Sequence, residues 1–157
     1  METRLNNYRN AASVHKNIRL LLKDYIKPGI KLIDICEFIE NNIRNSLSNE
    51  VNNGIAFPVG VSLNNIAAHW TPQKNDTTVL TENDVLKVDF GTHIDGNIID
   101  SAFTYAYDDK FNPLKEASKE AVYNVIKNIG VGSRISELGG IASEIVNSYE
   151  IELENKL

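Results

Sequence analysis

The chain has 157 residues, 42% of them hydrophobic and 24% charged, which is enough to bury a core and ordinary for a globular domain. Its formal net charge of −5 argues against a nucleic-acid-binding protein, which normally presents a basic face. The sequence has no apolar run long enough for a membrane-spanning helix, and its first residues do not resemble a signal peptide.

Cysteine usage indicates a reducing compartment. Cys36 is the only cysteine, so an internal disulfide cannot form. We therefore expect a cytoplasmic protein without a nucleic-acid or membrane partner.

The amino-terminal part of the chain predicts two amphipathic helices. Apolar residues recur at steps of three and four over residues 3–26 and again over 32–47, and a Pro-Gly pair separates the two segments. Cys36 lies on the apolar face of the second helix, which favours a buried hydrophobic residue over a nucleophile. His15 lies off the main apolar stripe of the first helix, so we expect it to be solvated and assign it no role.

The next segment is predicted to be largely irregular. A polar loop over residues 48–54 leads into the apolar stretch 55–62, IAFPVGVS, which its proline and glycine make typical of an edge or irregular strand. Residues 66–70 are predicted to return as a short strand that ends in His69. A second polar loop follows, over residues 71–78.

Residues 84–107 predict a β-hairpin. Strand-forming residues flank Asp95 and Gly96 on both sides. An Asp-Gly pair between two such runs is a strong hairpin signal, because both residues tolerate the positive φ angles of a type I′ turn. A two-residue loop at this position places Ile94 opposite Asn97.

That register predicts two aspartates on one face of the hairpin. Gly91 lies opposite Asp100 and Asp89 opposite Ala102, and all four side chains project to the same side because the strand period is two. The two aspartates become diagonal neighbours with Cα atoms roughly 7–8 Å apart. The small residues across from them leave a gap about the size of a hydrated cation. A divalent cation, or a pair of them, would remove the repulsion between the carboxylates. The hairpin alone leaves a metal site and two solvated aspartates both open.

Two further helices are predicted after the hairpin, over residues 114–129 and from 136 to 149, with glycines between them. Residues 149–153 look like the start of another strand. The order of helices, strands and helices is typical of an α+β fold in which an antiparallel sheet is flanked by helices.

Three segments together resemble the type 2 methionine aminopeptidases. They are FPVGVSLNNIAAHWTP at 57–72, DTTVL at 76–80 and VDFGTHIDGNIIDSAF at 88–103, and the resemblance extends through essentially the whole chain. It implies the first half of a pita-bread (creatinase/aminopeptidase-like) fold. It also implies metal-dependent removal of the initiator methionine from the amino termini of nascent polypeptides.

The resemblance implies roles for four residues. Asp89 and Asp100 match metal ligands, the first bidentate to one metal and the second bridging two. His69 matches a pocket histidine that interacts with the scissile amide without binding metal, and Phe57 matches a wall of the methionine pocket. Without the resemblance, a histidine at a strand end such as His69 is more often a structural hydrogen-bonding residue than a catalytic one, and Phe57 would be a core residue. His93 shares the predicted face with Asp89 but matches no family ligand.

The family's metal centre has five protein ligands, of which one His and two Glu belong to the second half of its fold. No histidine follows His93 in this chain, and its late glutamates match no ligand motif. We therefore expect residues 1–157 to be the amino-terminal half of the domain, supplying two of the five ligands and inactive alone. Two divalent metal ions (Co²⁺, Mn²⁺, Fe²⁺ or Zn²⁺) are expected in the complete enzyme, with weak or no binding here. We also expect self-association through the exposed surface of the half fold.

Two alternatives share the fold. Proliferation-associated and histone-chaperone proteins use it as a binding module without the metal site, and the presence of both aspartates with His69 favours the peptidase over them. An aminopeptidase or dipeptidase acting next to proline shares the metal chemistry. The segment SLNNIAAHWTP argues against that reading.

Overall fold

The structure is a computed structural model that describes residues 1–47 and 52–150. The chain divides into two compact units, Met1–Tyr105 and Ala106–Leu157. In the described part of the chain no helix is both long enough and apolar enough to cross a membrane.

Two helices begin the first unit, as the apolar periodicity predicts. α1 spans Glu2–Tyr25 and α2 spans Leu32–Leu47. Between them, Gly29 has a φ angle of 93°, which favours glycine. Cys36 on α2 is buried and its thiol donates to the Val59 carbonyl at 3.7 Å. Burial raises the pKa of Cys36 to about 12, which confirms the prediction of a buried hydrophobic residue over a nucleophile.

Four strands form the sheet of the first unit: β1 (Asn53–Ile55), β2 (Gly60–Leu63), β3 (Val85–Ile94) and β4 (Asn97–Ala106). The long strand β3 pairs antiparallel with β1 near its end and with β2 near its start, and it also pairs with β4. The predicted irregular strand at 55–62 is confirmed, because the chain leaves the sheet between β1 and β2. Residues 48–51 of the predicted loop at 48–54 lie outside the described residues, and the prediction is wrong for Asn53 and Gly54, which belong to β1.

The hairpin is confirmed at its predicted turn. β3 ends at Ile94 and β4 begins at Asn97, so Asp95 and Gly96 alone connect them. Their φ angles of 49° and 71° are both positive, as a type I′ turn requires. The side-chain amide of Asn97 also donates to the Ile94 carbonyl at 2.8 Å. A loop of two residues gives the pairing register that places Gly91 opposite Asp100.

The predicted return strand at 66–70 is wrong. This segment has irregular backbone and is held to β2 by two contacts of Trp70, whose carbonyl accepts from Val61 N at 2.8 Å and whose N–H donates to Ser62 Oγ at 3.3 Å. His69 has a φ angle of 63°. A left-handed residue cannot continue a strand, so the alternating pattern of the sequence is overridden there.

The core lies between the two helices and one face of the sheet. Along β3, the residues on this face are buried and most of those on the other face are only half-buried, as the period of two requires. Complete burial of an Ile, Leu or Phe side chain contributes about 1.5–3 kcal/mol. The fully buried large residues include Ile18 and Leu22 of α1, Ile35, Ile39 and Ile43 of α2, and Leu86 and Phe90 of β3.

The prediction that His15 is solvated is wrong. Its ring is 4% exposed and stacks on Phe90, with centroids 4.0 Å apart and planes at 8°. Its Nε2 lies 2.9 Å from the Phe90 carbonyl oxygen. His15 shares the buried stripe of α1 with Ile18 and Leu22. The imidazole ring provides the flat apolar surface that this position needs, and its Nε2 has a hydrogen-bond partner in the Phe90 carbonyl.

The second unit contains two helices that pack against each other. A 3₁₀ turn at Asp109–Phe111 leads into α3 (Asn112–Asn128), and α4 spans Ile135–Asn147. Both helices were predicted by periodicity. Tyr149 and Glu150 form no strand, and the rest of the strand predicted at 149–153 lies outside the described residues. The fold class, α+β with an antiparallel sheet flanked by helices, is confirmed.

Candidate metal centre

Asp89 lies near the middle of β3 and faces away from α1 and α2. Its neighbours Val88 and Phe90 are fully buried in the core, whereas Asp89 is half-buried on the other face of the sheet. β2 runs alongside, with Gly60 directly paired to Asp89. The strand period therefore presents this carboxylate to the face of the sheet that the two helices do not cover.

The structure brings Asp100 to the same carboxylate. Burial first, and the charge of Asp100 second, raise the pKa of Asp89, and a hydrogen bond between the two carboxyl groups acts in the same direction. Such a bond requires a proton on one of them, so it favours the neutral form. Nearby His69 acts in the opposite direction and lowers the pKa of Asp89. The two aspartates thus meet on one face, as the hairpin register predicts.

One atom of this pair is left without a partner. Asp89 Oδ1 is buried and accepts no hydrogen bond from any group in the described part of the chain. A buried carboxylate oxygen without a donor is costly, and carboxylate oxygens are the ligands that hard divalent cations take. The pair therefore fits a cation. Among residues 1–47 and 52–150 no third His, Cys, Asp or Glu joins it to form a metal-binding cluster, so the ligand roles of Asp89 and Asp100 stay a prediction.

The gap expected beside the aspartates is partly filled by Phe57. A Cβ atom added to Gly91 would lie 2.4 Å from Phe57 Cε1 and 2.9 Å from the Cβ of Ala56. The aromatic ring therefore sits directly over Gly91, which shares its face of the sheet with Asp89 and faces Asp100. Phe57 is half-buried, and its ring covers the Gly91 position on the face that carries Asp89. Its role as a wall of the methionine pocket stays a prediction.

His69 lies beside this face in a conformation that few residues adopt. Its side chain is exposed and its φ angle is 63°. Positive φ in a residue other than glycine is uncommon and costs on the order of 1–3 kcal/mol, and such residues cluster at functional sites. The following residue, Trp70, places its carbonyl 3.8 Å from the Cβ position of Gly60, the partner of Asp89. The loop thus carries His69 past the strand that flanks the aspartate.

His93 occupies a different position on the same face. Its Nδ1 accepts from the Gly96 N–H at 3.4 Å, and its Nε2 lies 4.0 Å from the Cβ position of Gly54. The ring therefore supports the hairpin turn and the adjoining strand β1. The absence of a ligand role for His93 stays a prediction.

Two carboxylates, an imidazole and an aromatic wall consequently share one region of the sheet. The carboxylates supply negative charge and oxygen donors, the imidazole supplies a hydrogen-bonding group, and the ring supplies an apolar surface. The hairpin register predicts that the two aspartates lie together, and the family resemblance implies that His69 and Phe57 join them. The unpaired Oδ1 atom, the left-handed His69 and the contact of Phe57 with Gly91 are visible only in three dimensions.

Sequence comparison gives a family and several relatives. A sequence model described as metallopeptidase family M24 matches residues 6–156. The chain is 50% identical over 153 residues to methionine aminopeptidase 2A of Arabidopsis thaliana, covering 97% of this chain and 35% of that protein. It is 46% identical over 152 residues to methionine aminopeptidase 2 of Dictyostelium discoideum, covering 96% of this chain and 35% of that protein. The chain spans about a third of the length of these curated relatives.

Solved structures share the fold at low identity. A methionine aminopeptidase from Thermotoga maritima superposes with a TM-score of 0.82 at 22% identity, over 94% of this chain and 61% of that chain. A dipeptidase from Pyrococcus horikoshii OT3 gives a TM-score of 0.78 at 18% identity, over 94% of this chain and 41% of that chain. The structural similarity therefore includes enzymes with different names, and at these sequence identities it shows a shared fold only.

Proposed function

The chain belongs to metallopeptidase family M24, and from that premise we propose that it is the amino-terminal part of a type 2 methionine aminopeptidase. Such an enzyme hydrolyses the peptide bond that follows an initiator methionine, so its proposed partners are the amino termini of nascent polypeptides. The observation that supports this function most directly is the buried, unpaired oxygen of Asp89 next to Asp100. The identity to relatives named methionine aminopeptidase 2 supports the choice of substrate.

Membership of a metallopeptidase family implies a divalent metal, and we assign Asp89 and Asp100 as its ligands in this chain. When bound, a divalent metal supplies a reactive water at neutral pH and polarises the substrate carbonyl. Mn²⁺, Fe²⁺, Co²⁺ and Zn²⁺ all suit such a carboxylate-containing site. The complete centre is proposed to hold two ions, with one His and two Glu contributed from outside residues 1–157.

The remaining residues of the face act on the peptide. The Phe57 ring offers an apolar wall to a methionine side chain, and its contact with Gly91 fixes that wall beside the carboxylates. His69 is exposed and hydrogen-bonds the scissile amide, which stabilises the charge that develops during hydrolysis. The left-handed backbone conformation of His69 sets the direction from which its imidazole reaches the scissile amide.

Metal titration tests the ligand assignment. Mn²⁺ added to the 157-residue chain should bind weakly and broaden the NMR signals of backbone amides near Asp89 and Asp100, because a paramagnetic ion relaxes nearby nuclei. D89N and D100N should each abolish this broadening. D24N removes an exposed aspartate of α1 and should leave it unchanged. Broadening that survives both substitutions would contradict the assignment.

The size of the affinity tests the number of ligands. Two carboxylates alone do not fix a dinuclear centre, so calorimetry should find only weak Co²⁺ or Mn²⁺ binding and the isolated chain should release no methionine from a Met-Ala-Ser peptide. Tight binding or hydrolysis by residues 1–157 would overturn the proposal of an incomplete site. Sequencing the encoding gene beyond the codon for Leu157 should reveal the proposed His and two Glu.

We also propose that the chain associates with a second copy of itself. Three apolar side chains in the last part of α3 and at its C-cap are largely exposed: Val122 (60%), Ile126 (62%) and Ile129 (60%). Their spacing puts them on one side of the helix. Contiguous exposed apolar surface is typical of an interaction site. We also propose a cytoplasmic location, supported by the single cysteine of the sequence, Cys36, which is free and buried.

A further inference from the structure

His15 contacts both arms of the hairpin from the side opposite the aspartates. Its Nε2–H donates to the Phe90 carbonyl at 2.9 Å, and its ring stacks on the Phe90 side chain. The Ser101 backbone, acting as a hydrogen-bond partner of the ring, raises the pKa of His15. A single buried side chain of α1 thereby reaches the backbone of β3 and of β4.

The two residues that His15 contacts are the sequence neighbours of the two aspartates. Phe90 follows Asp89, and Ser101 follows Asp100. In the register that the two-residue turn sets, Phe90 lies opposite Ser101, so this pair sits between the two aspartates on their diagonal. The side chains of Phe90 and Ser101 project toward α1, whereas those of the aspartates project away from it.

We propose that His15 is a positioning residue that sets the separation of the Asp89 and Asp100 carboxyl groups. By holding Phe90 and Ser101 in one place, the ring limits sliding and splaying of β3 against β4 at the point where the aspartates diverge. Because His15 is 4% exposed, water does not compete for its hydrogen bond. The role of this separation in metal binding rests on the proposed function.

Three substitutions separate this role from simple core packing. H15F keeps a flat ring to stack on Phe90 and loses the donor. H15Q can return a donor to the Phe90 carbonyl. T92V is the matched control, because the Thr92 hydroxyl donates to the Ala11 carbonyl at 2.9 Å and so forms another buried bond between α1 and β3. Thr92 lies outside the diagonal that joins the two aspartates.

The experiment compares crystal structures of the four metal-free chains and their Mn²⁺ affinities. H15F should retain the fold, increase the distance between the two carboxyl carbons by about 1 Å, and weaken Mn²⁺ binding about tenfold, the lower range for loss of a group that orients a ligand. H15Q and T92V should match the wild type in both readouts.

An unchanged carboxyl separation in H15F would overturn the inference, as would a T92V variant that behaves like H15F. If H15F does not fold, H15L replaces it, because Leu suits a buried helix position and also lacks the donor. An unchanged carboxyl separation in H15L overturns the inference, and a larger separation that H15Q does not show supports it. Failure of the wild type to bind Mn²⁺ at these aspartates counts against the proposed function alone. The metal-free distances still decide the role of His15.

Discussion

At the scale of single residues, the Phe57 ring that packs on position 91 explains why this position is a glycine. The strand pattern indicates only that Gly91 shares a face with Asp89, and a glycine there suggests open space. In the structure that space holds the Phe57 ring, which comes from a distant part of the sequence. Long-range packing of this kind cannot be inferred from periodicity. The family motif predicts that Phe57 belongs to the site, and the structure shows that its ring lies over Gly91.

We expect G91A to destabilise the protein by about 1–3 kcal/mol, the usual cost of overpacking. The new methyl group would lie 2.4 Å from Phe57 Cε1 and 2.9 Å from the Ala56 Cβ, which moves only with its backbone. Urea denaturation measures the change. G140A is the control, because a Cβ at this exposed position of α4 meets nothing within 4 Å. It should stabilise the helix by about 0.5–1 kcal/mol. Equal effects of both substitutions would contradict the proposed contact.

His15 shows where reasoning from residue type failed. The sequence pattern places His15 off the main apolar stripe of the first helix and predicts a solvated side chain, whereas the structure buries it together with Ile18 and Leu22. The hydrogen bond to the Phe90 carbonyl offsets the cost of burying Nε2 of the ring. The aromatic stack then makes the ring behave as a core side chain.

The burial of His15 predicts a loss of stability at acid pH. Desolvation by burial lowers the pKa of His15 from its ordinary value of 6.5. The unfolded chain therefore takes up a proton more readily than the folded one. The resulting contribution to stability is complete above pH 6.5 and is lost as the pH falls below it.

This prediction is measured as the difference between the wild type and H15Q in urea denaturation at a series of pH values from 8 to 5. The wild type should lose more stability than H15Q over the acid part of the range. His69 and His93 are present in both proteins, so their contributions cancel in the difference. Parallel pH profiles for the two proteins would show that His15 takes up its proton equally well in the folded state.

At the scale of elements, the sequence predicted the hairpin turn correctly but not the conformation of the loop at 66–70. The hairpin followed from Asp95 and Gly96, because positive φ angles at two adjacent residues are a local requirement that few sequences meet. The segment at 66–70 was predicted as a strand from its apolar residues. Its actual path depends on contacts of Trp70 with β2 and on the left-handed His69. Those contacts are tertiary, so no local pattern indicates them.

The turn can be tested by its dihedral angles. Gly96 has a φ angle of 71°, and a Cβ there meets no atom within 4 Å, so G96A adds backbone strain without a steric clash. We expect a loss of roughly 1–2 kcal/mol, the cost of the left-handed conformation for an L-residue. D95N is the control, because Asn tolerates the φ angle of 49° at this position. A thermal unfolding midpoint that is the same for G96A and D95N would argue against a type I′ turn.

At the scale of the whole molecule, the order of elements predicted the fold class, and the motifs predicted the family. Neither could show that the second unit leaves apolar side chains in contact with solvent. Val122, Ile126 and Ile129 stay exposed although α3 and α4 pack together. Helices normally bury such an apolar stripe, so its exposure indicates that another protein surface covers it. The proposed partner is a second copy of the chain.

Light scattering coupled to size-exclusion chromatography measures that association. The wild type should show a mass that rises with protein concentration above that of a 17.5 kDa monomer. The double substitution V122K/I126K should return it to a monomer, because two ammonium groups on the stripe resist desolvation in an apolar interface. L20K is the matched control, since Leu20 is 50% exposed on α1 and outside the stripe. It should associate as the wild type does. A wild type that stays monomeric at high concentration would contradict the proposal, and equal loss of association in L20K would assign the contact to general hydrophobicity instead of the α3 stripe.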